Sequence, residues 1–415
     1  MSGRVQAAAV GLVLSSAVIS LGGVVPAPAA ASSGGRSPIT VGFIYSATGP
    51  ASSSYVGSQW GAEARIDAQN AAGGVNGHKI RLVVADDQSN PAVNQTAAQE
   101  LVQAKGAFAV IEDSSLAFGG AKYLNQAGVP VTGAAVDGPE WNEKPYSNMF
   151  SVTPPSVGPA GGVTYGYTTN AVFLHQLGVK RLAGIVYSIQ SAISSMNQLY
   201  VSGAHLGIKN CYENTSIPFG DMDFGSEALA IKSAGCDGAV GVSLLATDIA
   251  FSQALKQAGV HAAQLYYTAY DQNLVSNPTS LRAMQGDYTT VFVDFGHPGA
   301  AARRMLSDLK RYTAFPGGIP SLNITQGYEA ADLMIKGLEL AGTNPTRQAF
   351  ISRLRRVSRY DAGGLLTTPV TFEHFDTAGI LPKVSCSLYA RIEGNGYVPY
   401  NHDKPVCGTR FAMPS

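Results

Sequence analysis

At 415 residues the chain is longer than the roughly 250–300 residues at which a single core stops growing, so two lobes are expected. Lysine plus arginine number 28 and aspartate plus glutamate 28, which leaves no positive field for a polyanion and argues against nucleic acid as a partner. With 45% apolar and 13% charged residues, the chain is far from the compositions that stay disordered.

In chain order, Arg4 precedes a nearly uncharged apolar stretch, residues 5–25, which runs into Pro26-Ala27-Pro28-Ala29-Ala30-Ala31. A basic start, an apolar middle and small residues at an A-x-A site are the parts of a secretory signal. Residues 1–31 are therefore read as a signal peptide cleaved near Ala31, and the protein as exported to the periplasmic or extracellular side of the cell envelope. The apolar run is almost long enough to span a bilayer, so an uncleaved anchor is the competing reading.

Further on, one phrase recurs: a helix-like stretch ends in glycine and a short apolar run follows. It is seen at Gly106, Gly128, Gly178, Gly207, Gly235 and Gly259, mostly 22–29 residues apart with one gap of 50. Glycine just past a helix end accepts the left-handed conformation that closes the last turn. The runs that follow, such as Gly238-Ala239-Val240-Gly241-Val242, are continuous rather than alternating, as in sheets buried on both faces. One helix plus one strand per repeat makes the fold class α/β with parallel sheets.

Open parallel sheets bind ligands beyond the strands' C-terminal ends. The segments there include Ser46-Ala47-Thr48, Glu112-Asp113-Ser114-Ser115, Ala135-Val136-Asp137, Ser188-Ile189-Gln190-Ser191 and Tyr270-Asp271. Their hydroxyls, carboxylates and tyrosines can hydrogen-bond a small polar ligand. Ser, Thr and Asp are also preferred helix N-caps, the plainer reading of any one of them. Cys211, Cys236, Cys386 and Cys407 form no C-x-x-C pair. In an oxidising compartment an even count reads as two disulfides. Of the three pairings we expect the sequential one, Cys211–Cys236 and Cys386–Cys407, over a four-cysteine zinc site whose spacing does not fit.

Four stretches carry a resemblance. They are Val41-Gly42-Phe43-Ile44 with Thr48-Gly49-Pro50; Gly61-Ala62-Glu63-Ala64 with residues 70–80; residues 83–91; and residues 370–379. Together and in this order they resemble the branched-chain amino-acid (Leu/Ile/Val) type periplasmic binding proteins, the substrate-binding proteins of ABC transporters. The resemblance runs from about residue 39 onward. It implies the type I periplasmic binding fold, two Rossmann-like lobes joined by three crossovers. Lobe one would be residues 38–155 plus 288–367, lobe two 156–287 plus 368–415, with a hinge at the Gly/Pro-rich stretch 152–159.

The family likeness further implies a monomer that captures a small polar solute (an amino acid, amide or similar) between closing lobes and hands it to an ABC permease in the cytoplasmic membrane. The ligand set it implies is Tyr55, Ser114 or Ser115, and Ala135 with Asp137. Ser191 stands where relatives carry an aromatic, and Tyr270 and Asp271 lie nearest the expected acid. Asp137 stands where relatives have threonine, and a carboxylate cannot donate a hydrogen bond to a ligand carboxylate. Asp137 and Asp271 facing each other would favour a cationic or amide-bearing solute, unless Asp137 caps the segment at Pro139.

Trp60 shares helical spacing with Ala64 and Ala68 and reads as core. Arg353, Arg355, Arg356 and Arg359 crowd a helix end, where they suit the helix dipole. There is no H-E-x-x-H, P-loop, G-x-S-x-G elbow or strand-linked G-x-G-x-x-G, so no metal, cofactor, catalytic residue or enzyme activity is expected. A soluble ligand-sensing protein of the same fold remains an alternative. So does a secreted hydrolase built on Ser114/His175 or Ser191/His205.

Overall fold

The helix-closing glycines take the conformation their positions require. In the computed structural model, which describes residues 36–134, 138–141, 143–153, 165–373 and 383–414, all six have positive φ, from 61° to 85°. Gly235 shows the effect: at φ 64° it ends helix Gly225–Ala234 and its backbone N–H returns to the last turn. A residue with a Cβ would be strained there. The signal peptide reading, Ala135, Asp137 and most of the 152–159 stretch lie outside the described residues.

The first sheet consists of β1 (Arg36–Tyr45), β2 (His78–Asp86), β3 (Ala109–Asp113), β4 (Val131–Gly133) and β5 (Met149–Ser151), in the order β2-β1-β3-β4-β5. Every pairing in it is parallel. Helices cover both faces: Val41 and Phe43 of β1 enter one buried cluster and Ile44 enters another. This is why the strand reads as a continuous apolar run.

The second sheet holds β6 (Tyr165–Tyr167), β7 (Arg181–Tyr187), β8 (Lys209–Ile217), β9 (Gly238–Val242), β10 (Ala263–Tyr266), β11 (Tyr288–Val291), β12 (Val384–Glu393), β13 (Gly396–Pro399) and β14 (Val406–Ala412). Its order is β6-β14-β12-β11-β10-β9-β7-β8, with β13 on β12. From β8 to β11 the strands are parallel, and from β12 outward they are antiparallel. Ala183 and Ile185 of β7 face one cluster, Leu182 and Val186 the other. The protein is thus a two-lobe α/β fold, with an antiparallel extension that the sequence did not announce.

Two boundaries move. Residues 288–291, assigned to lobe one from the sequence, form β11 between β10 and β12, because Thr289 to Val291 are buried there. Phe372, assigned to lobe two, packs in the core beneath the first sheet with Tyr360 and Leu365. Both expected disulfides are present. Cys211–Cys236 links β8 to the segment after helix Gly225–Ala234, and Cys386–Cys407 joins directly paired residues of β12 and β14.

Helix Ser58–Ala71 lies against helix Leu322–Ala341 at two small residues. A Cβ on Gly61 would collide with the Ile324 carbonyl oxygen, and one on Gly327 would lie 2.7 Å from that of Ser58. This close approach fixes the long helix in register. Trp60, on the same helix, is half-buried against the core with its ring edge on Phe315 at 6.3 Å. Arg353 lies in the last turn of helix Arg347–Leu354, and Arg355 sits over the Phe150 ring at 4.1 Å.

Candidate ligand cleft

The C-terminal end of β1 feeds a loop that reaches the other lobe. Ser54 is the tie: its Oγ accepts from the Leu245 backbone N–H at 3.2 Å and its carbonyl from Asn323 Nδ2 at 2.7 Å. Ala51 and Tyr55 pack into the core cluster beneath the second sheet. Between the lobes lies a cavity of about 500 Å³, within the range of small-molecule sites.

The wall contributed by the second lobe is aromatic. Tyr167, Tyr187, Phe219 and Tyr267 line it, and the polar tips of two of them are paired within the protein. The Tyr187 hydroxyl bonds Thr247 Oγ1, which itself donates to the Asp221 carbonyl at 3.0 Å. Tyr267 accepts from Asn170 Nδ2 at 3.2 Å, and Asn170 Oδ1 accepts from Tyr389. Behind this wall Asp248 accepts from Ser243 and, at 2.8 Å, from Thr268. Burial pushes its carboxyl up to about 7 against those bonds.

The facing wall differs. Tyr55 and Ser115 line it and bond each other at 2.8 Å. Next to them helix Leu322–Ala341 presents Gln326 and Glu329, one turn apart on the same face. They are 4% and 5% exposed. Among the described residues, the Gln326 carboxamide oxygen has no hydrogen-bond partner, and the bond recorded to Glu329 goes to its backbone carbonyl and not to its carboxyl. Burial, then the charges of Asp332 and Asp113, push Glu329 up to about 8. Asp332 is itself held by Arg65 Nε at 2.7 Å and the Tyr360 hydroxyl at 2.9 Å. Asp113 accepts from Ser58 and is pushed up to about 7 by burial. Among the described residues, no lysine, arginine or histidine lines the cavity.

The sequence-expected site residues separate. Tyr55 and Ser115 come together in the wall. Ser114 does not: it is fully buried and donates to Asp87, which also accepts from Ser46 Oγ at 2.7 Å. Ser191 lies in the first turn of helix Gln190–His205, whose Ala192 and Ser195 line the cavity. Tyr270 and Asp271 lie outside the cavity wall. Asp271 caps helix Gln272–Ser276 through the Asn273 N–H at 2.7 Å, and the Tyr270 ring sits 4.8 Å from that of Tyr397. Three residues earlier Tyr267 and Thr268 line the cavity instead, because the chain has turned away to begin that helix. Gln326, Glu329 and Tyr167 were missed; Gln326 and Glu329 are two of several polar residues in that helix, and no sequence pattern singles them out.

The periplasmic binding protein family matches residues 38–381. The chain belongs to that family. Among curated relatives, the Leu/Ile/Val-binding protein homolog 3 of Brucella melitensis is 26% identical over 200 residues, 48% of this chain and 52% of that protein. The amino acid binding protein of Pseudomonas aeruginosa is 34% identical over 103 residues, 24% of this chain and 28% of that protein. The chain thus spans about half the length, or less, of the curated relatives it matches.

Among solved structures, an ABC transporter solute-binding protein of R. palustris in complex with benzoate superposes with a TM-score of 0.72 at 16% identity, over 90% of this chain and 97% of that one. A leucine binding protein of Thermotoga maritima gives 0.71 at 17%, over 87% and 97%. These likenesses establish the type I periplasmic binding fold. For a periplasmic binding protein, a cavity between lobes with both contributing side chains is where solute binding is expected.

Proposed function

We propose that this chain is an extracytoplasmic solute-binding protein that closes its two lobes on a small polar solute and delivers it to an ABC permease. The observation that carries the reading is the cavity of about 500 Å³ walled by Tyr55, Ser115, Gln326 and Glu329 on one side and by aromatic rings on the other. Closure about a hinge brings such walls together around a ligand. The similar leucine binding protein and the similar solute-binding protein in complex with benzoate support capture of amino acids or comparably small solutes. Two disulfides among four cysteines support an oxidising compartment, with residues 1–31 as a leader. No described helix is long and apolar enough to cross a membrane.

The hydrolase reading finds no support in the geometry. The Ser114 hydroxyl is committed to Asp87, neither His175 nor His205 lines the cavity, and His205 packs edge-on to Phe411 at 5.3 Å. A thermal-shift screen of the exported protein over amino acids, amides, amines, aromatic acids and polyols tests solute capture. A ligand at about 100 times its dissociation constant should add about 2.7 kcal/mol of stability, and Tyr55→Ala should reduce that shift. No shift with any solute, or turnover of the bound compound, would refute the reading.

A further inference from the structure

Gln326 and Glu329 are nearly buried residues on the cavity wall: the Gln326 carboxamide oxygen is buried without a hydrogen-bond partner, and the Glu329 carboxyl accepts no hydrogen bond, among the described residues. A buried amide without a hydrogen bond, and a buried carboxyl without one, each cost stability on the order of 1–3 kcal/mol. Two such groups side by side on a cavity wall mark a place completed by something else. The charged and titratable groups around Glu329 define what that is. From its own helix comes Asp332, from β3 comes Asp113, and from the segment after helix Arg347–Leu354 comes Tyr360, whose hydroxyl donates to Asp332 and to the Glu329 carbonyl oxygen. The nearby cation is Arg65, on helix Ser58–Ala71, and it is engaged by Asp332 at 2.7 Å. The surroundings of Glu329 are therefore rich in acids, and no base lines the cavity among the described residues. Opposite stand the rings of Tyr167, Tyr187, Phe219 and Tyr267, whose faces attract cations.

We propose that the cleft takes a solute carrying a positively charged nitrogen, an amine, quaternary ammonium or guanidinium, which pairs with the Glu329 carboxylate, hydrogen-bonds or packs against Gln326, and rests against the aromatic wall. This deepens the solute-capture reading and rests on it. In the ligand-free protein Glu329 holds its proton near neutral pH, because burial and the neighbouring acids disfavour the charged form. The arriving cation reverses that balance, so the proton leaves as the ion pair forms. Binding then releases one proton below about pH 8, and affinity rises with pH by up to about tenfold per unit until Glu329 is ionised in the free protein.

The test is calorimetry on the full protein with choline and agmatine, with 3,3-dimethylbutanol as the uncharged isostere of choline and with acetate and benzoate as carboxylate probes that carry no cation, from pH 6 to 9. One of the cations should bind at least tenfold more tightly than the isostere, with an enthalpy that varies with buffer ionisation. Glu329→Gln, which keeps shape and removes the charge, should abolish both the cation preference and the pH slope. Glu329→Asp should weaken binding but keep the slope. Binding of the isostere, acetate or benzoate in preference to the cations, with pH-independent affinity lost in Tyr55→Ala, would overturn the cation assignment and leave solute capture standing. No binding by any of these probes, or by any solute of the thermal-shift screen, would overturn both.

Discussion

Ser114 and Ser115 are adjacent in sequence and serve different ends. Ser114 completes a buried network in which Asp87 also accepts from Ser46 and, at 2.9 Å, from the Ser89 N–H. Ser115 faces the cavity and bonds Tyr55. A donor to a buried carboxylate is worth about 1.5–3 kcal/mol, so Ser114→Ala should lower unfolding stability by that amount in urea titrations. A Ser114→Ala protein with an unchanged midpoint would contradict the network. Glu329 gives the opposite prediction. Among the described residues its carboxyl accepts no hydrogen bond, so Glu329→Gln should match or exceed the wild-type melting temperature at pH 8, where the carboxyl would otherwise ionise in a buried site.

At the scale of elements, the decisive contact is helix on helix. Gly61 lets helix Ser58–Ala71 approach helix Leu322–Ala341 until an added Cβ would meet backbone. Backbone cannot rotate aside as a side chain can, so Gly61→Ala should cost about 1–3 kcal/mol or more. It should also misplace Gln326 and Glu329 and weaken ligand binding. Calorimetric melting and a binding isotherm on the same variant check both effects; wild-type values for both would show that the approach is not tight. The Cys386–Cys407 pair closes a local loop with a separation of 21 residues. The double Cys386→Ser, Cys407→Ser variant should lose about 3 kcal/mol on the chain-entropy account. The loss should appear as reduced stability of the antiparallel extension, read by hydrogen exchange in β12 and β14.

Over the whole molecule the buried acids act together. Glu329 is pushed up to about 8, Asp113 and Asp248 to about 7, and Asp271 and Asp287 to about 6, in each case chiefly by burial. For Asp287 that cost outweighs the Lys256 ammonium at 2.9 Å. Each group has a folded value above the ordinary 3.8 or 4.5, so between those values the folded state binds more protons than the unfolded one. Stability then falls as pH rises through that window. Between pH 5 and pH 8 the melting temperature of the ligand-free protein should fall progressively as pH rises. A melting temperature that is flat or rises over that range would contradict the burial of these acids.

Much of the architecture was legible in the residues because its causes are local. A glycine with positive φ closes its own helix, and a strand buried on both faces is apolar along its whole length. Two cysteines 21 or 25 residues apart can meet through a single hairpin or helix–strand unit. Ser115 was placed at a strand end, where any parallel sheet opens, and Tyr55 was placed by the family resemblance; both line the cavity. Three features depended on contacts between distant segments. β11 joined the second sheet because strands from residues 263–266 and 384–393 flank it. Asp271 left the cleft because the next helix needed a cap. Glu329 entered it because helix Leu322–Ala341, with 15 of its 20 residues buried, has no polar stripe to show which face is wet. Only its docking at Gly61, more than 260 positions earlier in the chain, decides which of its polar residues meets the core and which the cavity.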